Sequence, residues 1–145
     1  MILKSRNYAM VTIIPYQERW QVEFQAIAKE LRQALGELAL RIDHIGSTSV
    51  SGLAAKDIID IQVTVAELID DVRQAITSLG YIHRDDIIGD HCPATANPDK
   101  NEWGKWYFRE ATGERRVHIH VRLPERLNQR YPLLFRDYLR AHPAM

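Results

Sequence analysis

Two segments of the sequence, IIDIQVTV (58–65) and RRVHIHVRL (115–123), place polar side chains at every second position between apolar residues. Because successive side chains of a strand point to opposite faces, each segment predicts a β-strand with one apolar and one polar face. The polar positions are those of Asp60, Gln62, His118, His120 and Arg122. If the two polar faces share one side of a sheet, a carboxylate, two imidazoles and a guanidinium form one surface.

The His-x-His pattern of the second segment is compatible with metal binding. His118 and His120 lie about 6–7 Å apart along one face of a strand, because each residue adds roughly 3.3 Å. Two convergent imidazoles at this spacing can bind one metal ion, and Asp60 could supply a third, harder ligand. The alternative interpretation is a pair of solvent-facing strand histidines.

Asp60 needs a compensating partner wherever the strand is buried. It lies between Ile59 and Ile61, where an isolated carboxylate is costly unless it is paired, solvated or bound to a metal ion. A salt bridge to Arg122 or Lys56 is the alternative to a metal-binding role.

The segment GSTSVSGLAAK (46–56) has the residue types of an anion-binding turn. Gly46 allows a sharp turn or a close backbone approach to a ligand. Ser47 and Thr48 offer hydroxyl and N–H donors that can hold phosphate oxygens, and Lys56 adds a cation. The phosphate-binding pattern Gly-x-x-x-x-Gly-Lys-Ser/Thr is absent. A structural cap of a short helix explains the same residues equally well.

The elements that must position these residues follow from hydrophobic periodicity and from Gly and Pro. Helices are predicted over 16–36 and 67–79 and from about residue 124; strands are predicted at 41–45, 58–65 and 81–84. Residues 85–101 are predicted as a loop, followed by a β-hairpin of KWYFRE and RRVHIHVRL. This order predicts an α+β or mixed α/β domain, with helices on one face of a four- to five-stranded sheet.

Composition limits the class of protein. The 145 residues suit one domain spanning 1–145, and 19 basic residues balance 19 acidic ones. A formal net charge of zero argues against broad nucleic-acid binding but allows a local site for a small anion. Cys92 is the only cysteine, no apolar run approaches the roughly 20 residues of a membrane span, and MILKSRNYAM lacks a signal-peptide core. These features predict a cytoplasmic protein; self-association into a homodimer is an open alternative.

Three motifs resemble the GrpB family when they are taken in order. They are HIGSTSVSGLAAKDIIDIQVTV, RRVHIHV and FRDYLRAHP, and the similarity extends from about Ile14 to Pro143. The resemblance implies the nucleotidyltransferase-like fold of that family. The order and spacing of the three motifs make the match more specific than any one motif alone.

The resemblance also implies roles for individual residues. Transferases of this fold hold a triphosphate on a Gly-Ser turn, which Gly46 and Ser47 match. An Asp-x-Asp pair and a third carboxylate bind two magnesium ions in such enzymes, and Asp60 matches the first of these acids. Gln62 occupies the second position, and the later strand offers histidines instead of an acid. Because neutral amides and imidazoles are poor magnesium ligands, two-metal transfer loses support.

Together these observations predict a nucleotidyltransferase-like protein that binds a nucleotide or another phosphorylated small molecule. The predicted ligand-binding residues are Gly46, Ser47, Thr48, Lys56 and Arg122. The predicted ligands of a divalent ion (Mg, Mn or Zn) are Asp60, His118 and His120. The predicted catalytic residues for nucleotidyl or phosphoryl transfer are Asp60, Gln62 and His120. The alternatives are a non-catalytic ligand-binding or regulatory module and a metal-dependent phosphohydrolase.

Overall fold

The computed structural model describes residues 2–4, 10–95 and 100–142. Its strands are β1 (Ile2–Lys4), β2 (Met10–Ile14), β3 (Ala39–Ile45), β4 (Ala55–Lys56), β5 (Ile59–Val65), β6 (Ile82–His83), β7 (Trp106–Arg109) and β8 (Val117–Arg122). Its α-helices are α1 (Arg19–Leu35), α2 (Asp70–Ser78), α3 (Lys100–Trp103) and α4 (Leu127–Ala141). Short 3-10 turns cover Gly36–Leu38 and Ser47–Ser49.

A five-stranded mixed sheet is the centre of the fold, in the order β3-β5-β8-β7-β6. Only β5 and β8 pair in parallel among these described strands; the other neighbours are antiparallel. The predicted mixed sheet and the predicted β7–β8 hairpin are therefore confirmed. A smaller sheet, β1-β2-β4, was not predicted, because two of its strands have only two or three residues. That residues 1–145 form one domain stays a prediction.

The apolar faces of β5 and β8 form the core together with α1 and α2. The alternation predicted for β5 is confirmed, since Ile59, Ile61 and Val63 are all completely buried. The helices contribute side chains at helical spacing, so that each presents one apolar stripe to the sheet. Buried members of this core include Trp20, Leu31, Leu35, Val72, Ile76, Phe108, Val117 and Ile119.

Helix α4 contacts the opposite, polar face of β5, whereas the sequence pattern placed the helices on one face only. The side-chain amide of Gln62 donates to the carbonyl of Gln129 at 2.9 Å. The side chain of Gln129 donates in turn to the hydroxyl of Thr64. Buried polar groups on a strand need hydrogen-bond partners, and the first turns of α4 provide them here.

The predicted loop at 85–101 is only partly correct. Gly89 forms an isolated antiparallel bridge with Gly104, and α3 begins at Lys100, inside the predicted loop. Residues 96–99 of that loop lie outside the described residues. Across the described part of the chain, no helix combines the length and the hydrophobicity needed to cross a bilayer.

Candidate functional site

The parallel register of β5 and β8 brings the two predicted polar faces to the same side of the sheet. Asp60 pairs with His118, and Gln62 pairs with His120. Oδ1 of Asp60 lies 3.6 Å from Nδ1 of His118 and 3.6 Å from Nε2 of His120. This separation is too long for a good hydrogen bond but close enough for a strong electrostatic effect.

The turn that follows β3 lies directly against the carboxylate of Asp60. Gly46 has φ 73° and ψ −176°, and a Cβ atom built at this position would lie 2.6 Å from Oδ2 of Asp60. A side chain would therefore be both strained and sterically excluded. The predicted Gly-Ser turn and the predicted acidic residue are thus neighbours in the fold.

Asp60 is ionised in this environment. Burial acts to raise the pKa of its carboxyl, but the imidazoles of His118 and His120 outweigh burial and lower the pKa to about 2. Its side chain keeps 28% of its accessible surface, so the carboxylate is reachable from solvent. The site therefore presents a fixed negative charge at neutral pH.

His120 is neutral and its tautomer follows from its neighbour. Burial lowers the pKa of this imidazole to about 4; Lys105 and Arg122 act in the same direction, while Asp60 opposes them. Nζ of Lys105 lies 3.0 Å from Nδ1 of His120, and an ammonium group can only donate. Nδ1 is consequently the acceptor, and we assign the imidazole proton to Nε2, which faces Asp60.

A cleft of about 350 Å³ opens beside Asp60. We call it the Asp60 cleft; the residues lining it that matter here are Ser47, Thr48, Lys56, Asp60 and His118. Ser47 and Lys56 are exposed, and the hydroxyl of Ser47 makes no hydrogen bond with another described residue. The hydroxyl of Thr48 is already engaged, because it lies 2.9 Å from Nε2 of His44 and donates to the carbonyl of Ile58.

Gln62 and Arg122 do not line this cleft. Gln62 is completely buried, and Arg122 keeps only 5% of its surface. Arg122 donates to Oε1 of Gln62 at 2.8 Å and forms two hydrogen bonds with the carboxylate of Asp90. Both ends of the Gln62 amide are therefore engaged by protein groups, an environment that favours a structural role. The predicted catalytic role of Gln62 and the ligand-binding role of Arg122 stay predictions.

Sequence reasoning missed a buried ionic cluster next to the site, formed by Asp90, Lys105, Arg122 and Asn128. Nζ of Lys105 lies 2.6 Å from Oδ1 of Asp90, and Asn128 donates to Oδ2 at 2.9 Å. Burial acts to raise the pKa of Asp90, but Arg122 and Lys105 outweigh it and lower the pKa to about 2. No local pattern marks these residues, because each comes from a different loop or element.

The three predicted metal ligands come close together. Nδ1 of His118 faces Asp60, whereas Nε2 of His118 is buried and makes no hydrogen bond. In the ranges that the structure describes, no group of three or more His, Cys, Asp or Glu side chains is arranged to hold a metal ion. A proton on Nε2 of His120 removes the lone pair that would face a metal beside Asp60. Asp60 alone retains free carboxylate oxygens that suit a hard divalent ion.

Known structures share the architecture of this chain. The chain is similar to a solved structure of the Cid1 poly(U) polymerase with Mg 3′-dATP bound, with a TM-score of 0.51 and 14% identity; the match covers 87% of this chain and 38% of that one. At this identity the likeness concerns the fold alone. The protein thus has a nucleotidyltransferase-like fold, as predicted.

The family follows from closer matches. The family model described as GrpB protein matches residues 10–145, so the chain belongs to the GrpB family. The crystal structure of GrpB from Enterococcus faecalis superposes with a TM-score of 0.73 at 33% identity, covering 92% of this chain and 74% of that one. A dephospho-CoA kinase of Mycobacterium leprae is 33% identical in an alignment of 155 residues, gaps included. The alignment covers 95% of this chain. The chain spans only 38% of that kinase's length.

Proposed function

We propose that this protein binds a nucleotide or another phosphorylated small molecule in the Asp60 cleft, together with a divalent metal ion. The observation that carries the proposal is an ionised Asp60 carboxylate in one cleft with the Ser47 hydroxyl and the Lys56 ammonium. Ser47 donates a hydrogen bond to a phosphate oxygen in this proposal, and Lys56 offsets its charge. The Mg 3′-dATP of the Cid1 structure supports a nucleotide as the first ligand to test.

The negative charge of Asp60 explains why a cation belongs in the proposal. A phosphate held by Ser47 would lie near an ionised carboxylate, and two anions at short range repel each other. Magnesium is commonly bound through one or two carboxylates plus the phosphates of a ligand, so Asp60 fits as its protein ligand. When bound, such an ion neutralises phosphate charge and polarises the phosphoryl oxygen.

His118 and His120 act on Asp60 in this proposal. The Nε2–H of His120 points to the carboxylate and keeps it ionised, while Lys105 fixes the tautomer from the other side of the ring. Direct metal binding by His120 would require the proton to move to Nδ1, which would break the contact with Lys105. We therefore assign both histidines to the positioning of Asp60.

The buried amide of Gln62 supports a protein that binds a ligand without transferring a nucleotidyl group. Gln62 stands where transferases of this fold carry their second acid, and its amide is fully hydrogen-bonded to Arg122 and Gln129. Without that acid, the site offers one carboxylate for metal binding. We therefore favour the ligand-binding or regulatory module over a two-metal transferase.

Labelled nucleotides test the proposal and separate it from its alternatives. The protein is incubated with ATP labelled in the α- or γ-phosphate and with Mg²⁺ or Mn²⁺, and bound label and products are measured separately. We expect saturable, metal-dependent binding that Ser47→Ala and Lys56→Gln weaken, while Lys29→Gln on the exposed side of α1 changes nothing. Labelled acceptor would indicate transfer and free phosphate would indicate hydrolysis. Absence of metal-dependent binding to ATP and the other nucleoside triphosphates would contradict the proposal.

A further inference from the structure

A second pocket lies beside β3, the edge strand of the five-stranded sheet, and shares Thr48 of the Ser47–Ser49 turn with the Asp60 cleft. Its volume is about 580 Å³, within the range of sites that hold small molecules. We call it the β3-edge pocket; the residues that matter in it are Gln21, Gln25, His44, Ser51, Arg136 and Arg140. It is therefore built from α1, from the end of β3 and its turn, and from α4.

Backbone carbonyls orient two arginines toward this pocket. Nη1 of Arg136 donates to the carbonyl of His44 at 3.2 Å, and Nε of Arg140 donates to the carbonyl of Ser49 at 3.0 Å. Arg140 makes no other hydrogen bond with a described residue, so its two terminal amino groups remain available. A guanidinium held in this way suits the oxygens of a phosphate group.

Arginine charge exceeds carboxylate charge around the pocket. Asp43 is bound by both nitrogens of the Arg41 fork at 2.8 and 3.0 Å, and it lies 3.8 Å from Arg136. Asp137 is paired with Arg136 at 2.9 Å. Asp43 lines the pocket but is already paired, as is Asp137, and Arg140 forms no ion pair with a carboxylate of the described residues.

His44 lies within the positive field of the two arginines. Burial lowers the pKa of its imidazole to about 4, and Arg140 and Arg136 act in the same direction against Asp60. The neutral ring stacks on Phe24, with centroids 4.7 Å apart, and forms one wall of the pocket. Nearby, Gln21, Gln25 and Ser51 are exposed and make no side-chain hydrogen bond with described residues.

We infer that the β3-edge pocket binds the phosphate group of a second small molecule. Arg140 contributes its free guanidinium nitrogens, Arg136 supports the charge, and Ser51 and the two glutamines offer further donors. The inference goes beyond the function proposed for the Asp60 cleft and does not require it, although Thr48 lines both cavities. A ligand in each cavity would place two phosphorylated molecules next to the same turn.

Titration with inorganic phosphate and no metal tests this inference. We expect saturable binding in a calorimeter, weakened about tenfold or more by Arg140→Gln, because a charge-assisted hydrogen bond is lost. Arg130→Gln, on the same helix but outside the pocket, is the matched control and leaves the affinity unchanged. Lys56→Gln, which removes the cation of the Asp60 cleft, weakens phosphate binding no more than Arg130→Gln does, which separates this site from the Asp60 cleft.

Three results would overturn the inference. One is an absence of saturable phosphate binding, and another is equal affinity of wild type and Arg140→Gln. The third is tighter binding of acetate than of phosphate, which would assign the pocket to carboxylates. Circular dichroism of each variant shows whether the fold is kept; if Arg140→Gln fails to fold, Ser51→Ala replaces it with an expected weakening of several-fold.

Discussion

Gly46 and Asp60 are in such close contact that position 46 has no room for a side chain. A Cβ at position 46 would lie 2.6 Å from Oδ2 of Asp60 and 3.0 Å from its Cβ. Ile45, the preceding residue, pairs with Asp60 across β3 and β5, so the strand register fixes this proximity. The strand register therefore holds the turn and the acidic residue against each other.

The first prediction concerns this contact. Gly46→Ala should lower the free energy of unfolding by roughly 2–4 kcal/mol, because positive φ adds strain and the methyl group displaces the carboxylate. Gly52→Ala is the control, since Gly52 has φ 84° but nothing within 4 Å of its added Cβ. Urea unfolding measures both. Equal losses for the two variants would show that the contact with Asp60 is not the cause.

The second prediction concerns Gln62. Gln62→Ala should cost roughly 2–4 kcal/mol of stability, because Arg122 and the carbonyl of Gln129 lose a buried partner and a cavity forms. Gln74→Ala on the exposed face of α2 should cost no more than about 0.5 kcal/mol. Loss of ligand affinity without loss of stability would instead support the catalytic role predicted from the sequence.

The third prediction concerns pH. His44 and His120 have folded-state pKa values of about 4, below the ordinary value of 6.5, so the unfolded chain binds more protons between these limits. Stability is therefore complete above about pH 6.5 and falls as the pH approaches 4, by roughly 2–3 kcal/mol per histidine. Asp60 and Asp90 extend the loss from about pH 4 toward pH 2.

Unfolding curves across this range check the pH effect. His44→Gln and His120→Gln should each flatten the decline between pH 6.5 and 4, whereas His91→Gln, an exposed histidine, should leave it unchanged. A decline that persists in full in both buried variants would contradict the assignment.

The fourth prediction concerns Lys105. Lys105→Met should destabilise the fold by about 2–4 kcal/mol, because Asp90 loses a partly buried ion pair. It should also raise the pKa of His120, since Lys105 lowers it. An NMR titration of the His120 ring measures this shift. An unchanged or lower pKa would contradict the role of Lys105 as a charged neighbour that disfavours protonation of His120.

Local sequence patterns predicted which face of each strand is apolar, but they did not predict which strands pair with each other. Alternation in 58–65 and 115–123 correctly separated the core side from the polar side of β5 and β8. That Asp60 pairs with His118 depends on a parallel register between strands far apart in the chain, which alternation does not specify. The same pattern is compatible with an antiparallel or a non-adjacent arrangement.

The burial of Gln62 could not be predicted for a related reason. Its surroundings come from α4, more than sixty residues downstream, and the first turns of that helix cover one end of the polar face. The other end stays open at Asp60. The β3-edge pocket also depends on α4, because Arg136 and Arg140 reach carbonyls of residues more than ninety positions earlier.

The most direct test of the central claim is a calorimetric titration of ATP with Mg²⁺ into wild type, Asp60→Asn and Asp71→Asn. Asp71 is an exposed carboxylate on α2 and serves as the control. We expect wild type and Asp71→Asn to bind equally and Asp60→Asn to bind at least about tenfold more weakly in the presence of metal. Without metal, wild type loses this advantage, because the Asp60 carboxylate then only repels the phosphates. Equal binding by all three proteins would contradict the claim that Asp60 holds the cation of a phosphorylated ligand.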